Sequence, residues 1–350
     1  MSKNSIRTTQ LIALGVKLGL GRFSAATAIY ASFAVYLYQP HFKNFNRLQY
    51  LIVVSVCLAA LGCFVLSRRW VSSFYGSLFA GAIYGFGPFA LALAKFHPTI
   101  GFLAASVPWL FLPAAFGPKN RWQWVSVTLS AVPFLVILLF FQISAHCRLF
   151  AIPIQIKLHC ADLPSLIAPL VMAKRDTAWI GFYHIPIAAL LMGFAMLFAA
   201  RRLSILLIFC LGIVLASCRP LLGVSPVIWL SFSILCCSII ASVGLQGLCS
   251  AGLADRRWIL LSMAFMAALA IVTLLQATKY FQVFAGFGDK YANLFLADAK
   301  MFIAGTAALL AVFFITSAKL RLTWLCWALL GPAIAVDIFI GARFIVDNIF

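Results

Sequence analysis

The chain has 350 residues, of which 65% are hydrophobic and 9% charged, with a formal net charge of +19. Soluble domains are roughly 45–50% apolar and about 25% charged, so a single aqueous core is excluded and the bilayer is the natural solvent. The 26 Lys and Arg residues punctuate apolar runs, a pattern of topology signals and headgroup contacts with membrane lipids that argues against nucleic acid as a partner.

Taken in chain order, the N-terminal stretch has a basic start and lacks a compact cleavage site. It reads as an uncleaved first span, with a signal peptide as the alternative. Apolar runs of membrane-crossing length predict about eleven spans, at 14–38, 48–66, 73–94, 98–116, 122–141, 180–199, 203–219, 224–246, 258–276, 300–318 and 322–342. The predicted fold is therefore all-α, a polytopic transmembrane helical bundle forming one membrane domain over residues 1–350. Short, doubly basic connections recur in every second loop: Arg68-Arg69, Lys119 with Arg121, Arg201-Arg202, Arg256-Arg257, and Lys319 with Arg321. Basic residues in short loops mark the inner side, which predicts an inner N-terminus and an outer C-terminus. Two outer loops, 142–179 and 277–299, have room for structure outside the membrane. The glycines at 76, 81, 85 and 87 permit close helix packing or kinking, and read first as a packing seam.

There is no glutamate, and the acids are seven aspartates. On this topology Asp162, Asp176, Asp289 and Asp298 fall in outer loops, Asp337 in the outer half of the last span, and Asp347 in the outer tail. Only Asp255 is inner, beside Arg256. An ionisable group inside a span is expensive and marks function by default. Asp337 is therefore the leading candidate catalytic residue, with Asp289 and Asp298 beside it. The structural alternative for Asp337 is an ion pair with Arg343 or Lys300. The polar groups within spans read as too few for a proton relay. His41, His97 and His184 fall near outer span ends, where a lone histidine is more often a hydrogen-bonded interface residue than a catalyst.

The long outer loop carries His146-Cys147 and His159-Cys160. A Cys147–Cys160 disulfide, free thiols and a metal site all draw on these residue types, but the spacing matches no zinc-finger pattern and no metal ligand set is assigned. No phosphate-cradling loop or nucleophile elbow is present, and the identity of any cofactor is unknown from the sequence.

Two stretches carry a family resemblance. Gly81-Ala-Ile-Tyr-Gly-Phe-Gly-Pro-Phe89, continuing to Phe96-His97-Pro98 and Val107-Pro108-Trp109, resembles a passage of the C-superfamily (YfhO-type) polytopic membrane glycosyltransferases. Trp179-Ile-Gly-Phe-Tyr183 with the following span and Arg201-Arg202 is similar to a second such passage. The resemblance implies transfer of a sugar from a polyprenyl-phosphate-linked donor at the outer face, with acids of the first outer loop essential. That loop, 39–47, contains no acid, so a general base would come from the later outer aspartates. His97, Arg148, Lys174 and Arg175 are the candidate substrate-binding groups, the cations holding a lipid phosphate. Three functions follow as expectations: a glycosyltransferase-like protein, active or degenerate; a non-enzymatic subunit of a membrane complex; and a transporter of lipid or small solute. The expected location is a bacterial inner membrane.

Overall fold

The computed structural model describes residues 3–45, 47, 49–96, 100–112, 170, 181–199, 203–218, 225–250, 256–283, 290–317 and 323–350. Among the described residues every regular element is helical. In chain order they are α1 (Lys3–Tyr38), a 3-10 turn (Gln39–Asn44), α2 (Tyr50–Ser67), α3 (Phe74–Gly85), α4 (Pro88–Phe96) and α5 (Ile100–Leu110). Then follow α6 (His184–Ala199), α7 (Leu203–Ser217), α8 (Pro226–Ser250), α9 (Arg256–Val283), α10 (Lys290–Ser317) and α11 (Thr323–Ile349).

The protein is a multi-pass membrane protein: six helical stretches among the described residues are long and apolar enough to cross a bilayer. They lie in α2, across α3–α4, and in α8, α9, α10 and α11. Of the remaining expected spans, three are the shorter apolar helices within α5, α6 and α7. The stretch 14–38 lies in α1, and 122–141 lies outside the described residues.

Several element bounds differ from expectation. Helix α9 runs on to Val283 and α10 begins at Lys290, so most of the segment expected as the outer loop 277–299 is helical. Leu294, Leu296 and Ala297 are strong helix formers, and they carry the helix through the polar Asn293 and Asp298, where the apolar run breaks. Asp298 therefore lies on a membrane helix and not in a loop. Likewise α11 continues to Ile349, which puts Arg343 and Asp347 one turn apart on it.

α8 lies against α3, α6 and α7, while α9 and α10 pair as neighbours and leave Leu275, Ile271, Ile303 and Phe314 exposed as an apolar face. Without a hydrophobic drive between helices in lipid, such crossings depend on close backbone approach. A side chain added at Gly193 on α6 would strike the Ile240 carbonyl of α8, and one at Gly244 on α8 would strike the Ala189 carbonyl of α6. Gly81 and Gly85 face α2 in the same way, against the carbonyls of Ala60 and Val56.

At one end of the bundle, Gln246 of α8 holds the α2–α3 connection. Its Oε1 accepts the Ser72 and Ser73 N–H groups at 3.0 and 3.3 Å, and its Nε2 donates to Ser72 Oγ at 2.9 Å. Replacing Gln246 with Leu is expected to cost about 1 kcal/mol and to raise amide exchange at residues 72 and 73 alone. At another face, His41 Nε2 lies 2.8 Å from Asp347, which also accepts Arg343 Nε at 2.8 Å. The C-terminal ends of α1 and α11 thus share one face.

Candidate functional site

Three ionisable side chains meet inside the bundle. His184 opens α6, Asp298 sits in the third turn of α10, and Asp337 lies mid-way along α11. All three are buried, none more than 2% exposed. His184 Nε2 is 2.8 Å from Asp298 Oδ1, and Nδ1 is 2.8 Å from Asp337 Oδ1. The second oxygen of Asp337 accepts the Ile185 backbone N–H at 2.8 Å.

Local sequence explains how the helices form this grip. Helical residues four apart share a face. On α10, Asp298 and Phe302 are such a pair, and the Phe302 ring meets the imidazole edge-on, with centroids 4.6 Å apart. Gly305 continues that face and leaves room for Ile185 and for Met266 of α9. On α11, Asp337 and Gly341 are the corresponding pair, and the bare Gly341 lets the Tyr183 ring lie against the helix. The four-residue stretch Phe182–Ile185 is buried throughout.

The start of α6 is therefore a helix N-terminus inside protein. First-turn N–H groups have no intrahelical acceptor, and a carboxylate there also meets the positive end of the helix dipole. Asp337 serves both needs from another helix. Asp298 is eight residues from the start of α10, ~12 Å along the axis, and Asp337 is twelve from the end of α11, ~18 Å along it. The trio lies deep relative to those ends.

A second break in regular backbone lies beside it. Between α3 and α4 the helix is interrupted at Phe86-Gly87, and Pro88 starts the new helix, where its missing N–H is harmless. The break frees carbonyls that need other donors. Tyr183, next to His184, supplies one: its hydroxyl donates to the Phe86 carbonyl at 2.5 Å. Tyr183→Phe is expected to leave that carbonyl unpaired and to lower stability by about 1–3 kcal/mol, read as a lower unfolding midpoint in detergent.

The trio's proton count follows from its geometry. Two nitrogen–oxygen contacts of this length require two hydrogens, and a neutral imidazole carries one. The second hydrogen makes the ring a cation or one carboxyl an acid. The carboxylates lie on opposite ring nitrogens, so the three groups do not converge on a point, and no metal-holding cluster occurs among the described residues.

Of the predicted site residues, the structure brings Asp337 and Asp298 together. Asp289, His97, Arg148, Lys174, Arg175, Cys147 and Cys160 lie outside the described residues. The partner expected for Asp337 is corrected: Arg343 pairs with Asp347, Lys300 is exposed, and His184 is the residue that binds it. His184 stands at the start of α6, as its expected place near a span end implied, and is the buried hub of the trio. Two acids and a histidine thus meet within apolar helices. No protein-family model, curated protein or solved structure matches this chain.

Proposed function

We propose that the protein is a membrane transporter in which the Asp298–His184–Asp337 trio governs movement of α6 against α10 and α11. The observation that carries this reading is a buried ionisable cluster at a helix N-terminus, tied through Tyr183 to the α3–α4 break. Interior ionisable groups mark ion and substrate pathways. Transport sites recur where helices are interrupted and half-helix ends face polar groups. The substrate class is a small solute or lipid, and the setting is a bacterial inner membrane. The test uses proteoliposomes loaded with isotopically labelled cell extract, with efflux profiled by mass spectrometry. Selective depletion of a solute class by the intact protein, absent with His184→Ala, supports the reading. Identical profiles for protein and empty liposomes would sink it.

A second reading is favoured by the resemblance of 81–109 to glycosyltransferases acting on polyprenyl-phosphate-linked sugars. Asp298 and Asp337 are buried against His184, so an acceptor hydroxyl in that reading is served by Asp289. Loss of a surface glycan in Asp289→Asn cells is its expected signature, and a retained glycan counts against it. Stable copurification of other membrane proteins is the corresponding signature of a subunit role.

A further inference from the structure

We infer that Arg22 of α1 and Arg68 at the end of α2 form a binding site for a phosphate group, and that its occupant is the headgroup of an anionic phospholipid. The inference stands apart from the transport reading and uses no residue of the trio.

Two antiparallel helices bring the pair together. Cys57 Sγ of α2 reaches the Tyr30 carbonyl of α1 at 3.8 Å, and the Phe42 and Tyr50 rings stack at the connected end. Arg22 lies eight residues before Tyr30, ~12 Å along the axis, and Arg68 eleven after Cys57, ~16 Å along it. Both therefore reach the end of the bundle that holds the α2–α3 connection. Their charges act on each other there: burial first, and then the Arg22 guanidinium, hold Arg68 below the usual arginine pKa.

Like charges repel, so such a pair calls for an anion. Among the described residues no carboxylate stands at this end. Asp298 and Asp337 are inside the bundle, and Asp347 is against His41 at the far end of α1. Arg22 and Arg69 make no side-chain bond among the described residues, and Arg68 makes one, from Nη1 to the Ser72 carbonyl at 2.9 Å. That bond uses one donor of five and leaves the rest of the fork for an oxygen ligand. Ser72 is itself held by Gln246 of α8, so Arg68 is anchored on a fixed turn. The last carbonyls of α2 account for a cation at 68 or 69. They do not account for Arg22, which is inside α1 and at no helix end.

Side chains around the pair set its depth. Tyr75, in the first turn of α3, and Trp324 are exposed, and Trp327 lies against Tyr75 with ring centroids 5.9 Å apart. Exposed tyrosine and tryptophan collect at headgroup level. On α1, exposed Leu20 and Phe23 flank Arg22. The arrangement thus offers cations to a phosphate and apolar side chains to the acyl chains attached to it. Arginine holds phosphate through paired N–H groups, and basic pockets between membrane helices take anionic headgroups.

The test is native mass spectrometry of full-length protein in detergent, titrated with phosphatidylglycerol and, separately, with phosphatidylcholine, which has the phosphate but no net charge. The wild type is expected to bind a first phosphatidylglycerol about tenfold or more tighter than phosphatidylcholine. Arg22→Gln with Arg68→Gln is expected to abolish that preference. Arg47→Gln with Arg257→Gln, an exposed pair with the same loss of charge, is expected to keep it. Should the first double variant not fold, Arg22→Gln alone carries the test, because Arg22 has no side-chain bond to lose, and a several-fold loss of preference is expected. Inorganic phosphate separates the two sources of the group: at millimolar concentration it is expected to leave the bound lipid in place. Displacement of the lipid by phosphate, and not by chloride at equal ionic strength, assigns the site to a free anion and overturns the lipid. Equal binding of both lipids by the wild type, as neutralisation within the protein would give, overturns the site. So does equal loss of preference in both double variants, as diffuse attraction by net charge would give.

Discussion

His184→Ala is expected to be the most damaging single substitution in the described protein, lowering unfolding free energy by about 3–5 kcal/mol. The variant removes the common partner of two buried carboxylates and leaves a cavity lined by Asp298, Asp337 and Phe302. Breaking a buried charged pair costs more than the pair contributes, because the remaining charge keeps its desolvation penalty. The loss is expected at every pH at which the wild type is folded, since no proton can rebuild the contact. Equilibrium unfolding in bicelles measures it. A loss below about 1 kcal/mol, the range of exposed pairs, would show that the trio is not a buried clamp.

The second large effect is expected at the α6–α8 crossing. Gly193→Ala and Gly244→Ala each place a methyl where the opposing helix has a backbone carbonyl, Ile240 and Ala189 respectively. A flexible side chain could turn away, but a backbone carbonyl cannot move without shifting its helix. Overpacking costs typically 1–3 kcal/mol, and these positions are expected at about 3 kcal/mol each. Because both substitutions force the same two helices apart, the double variant is expected to lose less than the sum. The unfolding midpoints of the two single variants and the double check this. Gly21, with open space around it, is the control: Gly21→Ala is expected to be neutral or slightly stabilising through helix propensity.

These expectations depend on features of unequal visibility in the sequence. Apolar runs located the membrane helices closely, since α2 and α8 fall almost on the predicted stretches. Polarity misled at the helix ends. Lys290 to Asp298 reads as loop on hydropathy, yet it is the first third of α10, and this shift moves Asp298 from solvent into the bundle. The packing role of Gly81 and Gly85 was legible from their spacing, because four residues is one helical turn.

The trio was only half legible. Asp337 stood out as an acid within an apolar run, and its i+4 glycine was visible as well. Its partner was not, because His184 is 153 residues away in the chain and Asp298 is 114 from His184. Local periodicity says which residues share a face of one helix and nothing about which distant helix faces it. One clue was available: among the five histidines, His184 directly precedes a long apolar run with Pro186 in its first turn. A histidine at a helix start with no acid of its own calls for a carboxylate from elsewhere.

The most direct measurement is a pair of double-mutant cycles in bicelles, His184→Ala with Asp337→Ala and His184→Ala with Asp298→Ala, read as unfolding free energy. The clamp predicts strong coupling in both cycles, roughly 1–3 kcal/mol, because once the histidine is gone each carboxylate has already lost its contact with the ring. Losses that add within about 0.5 kcal/mol, as for independent sites, would contradict it.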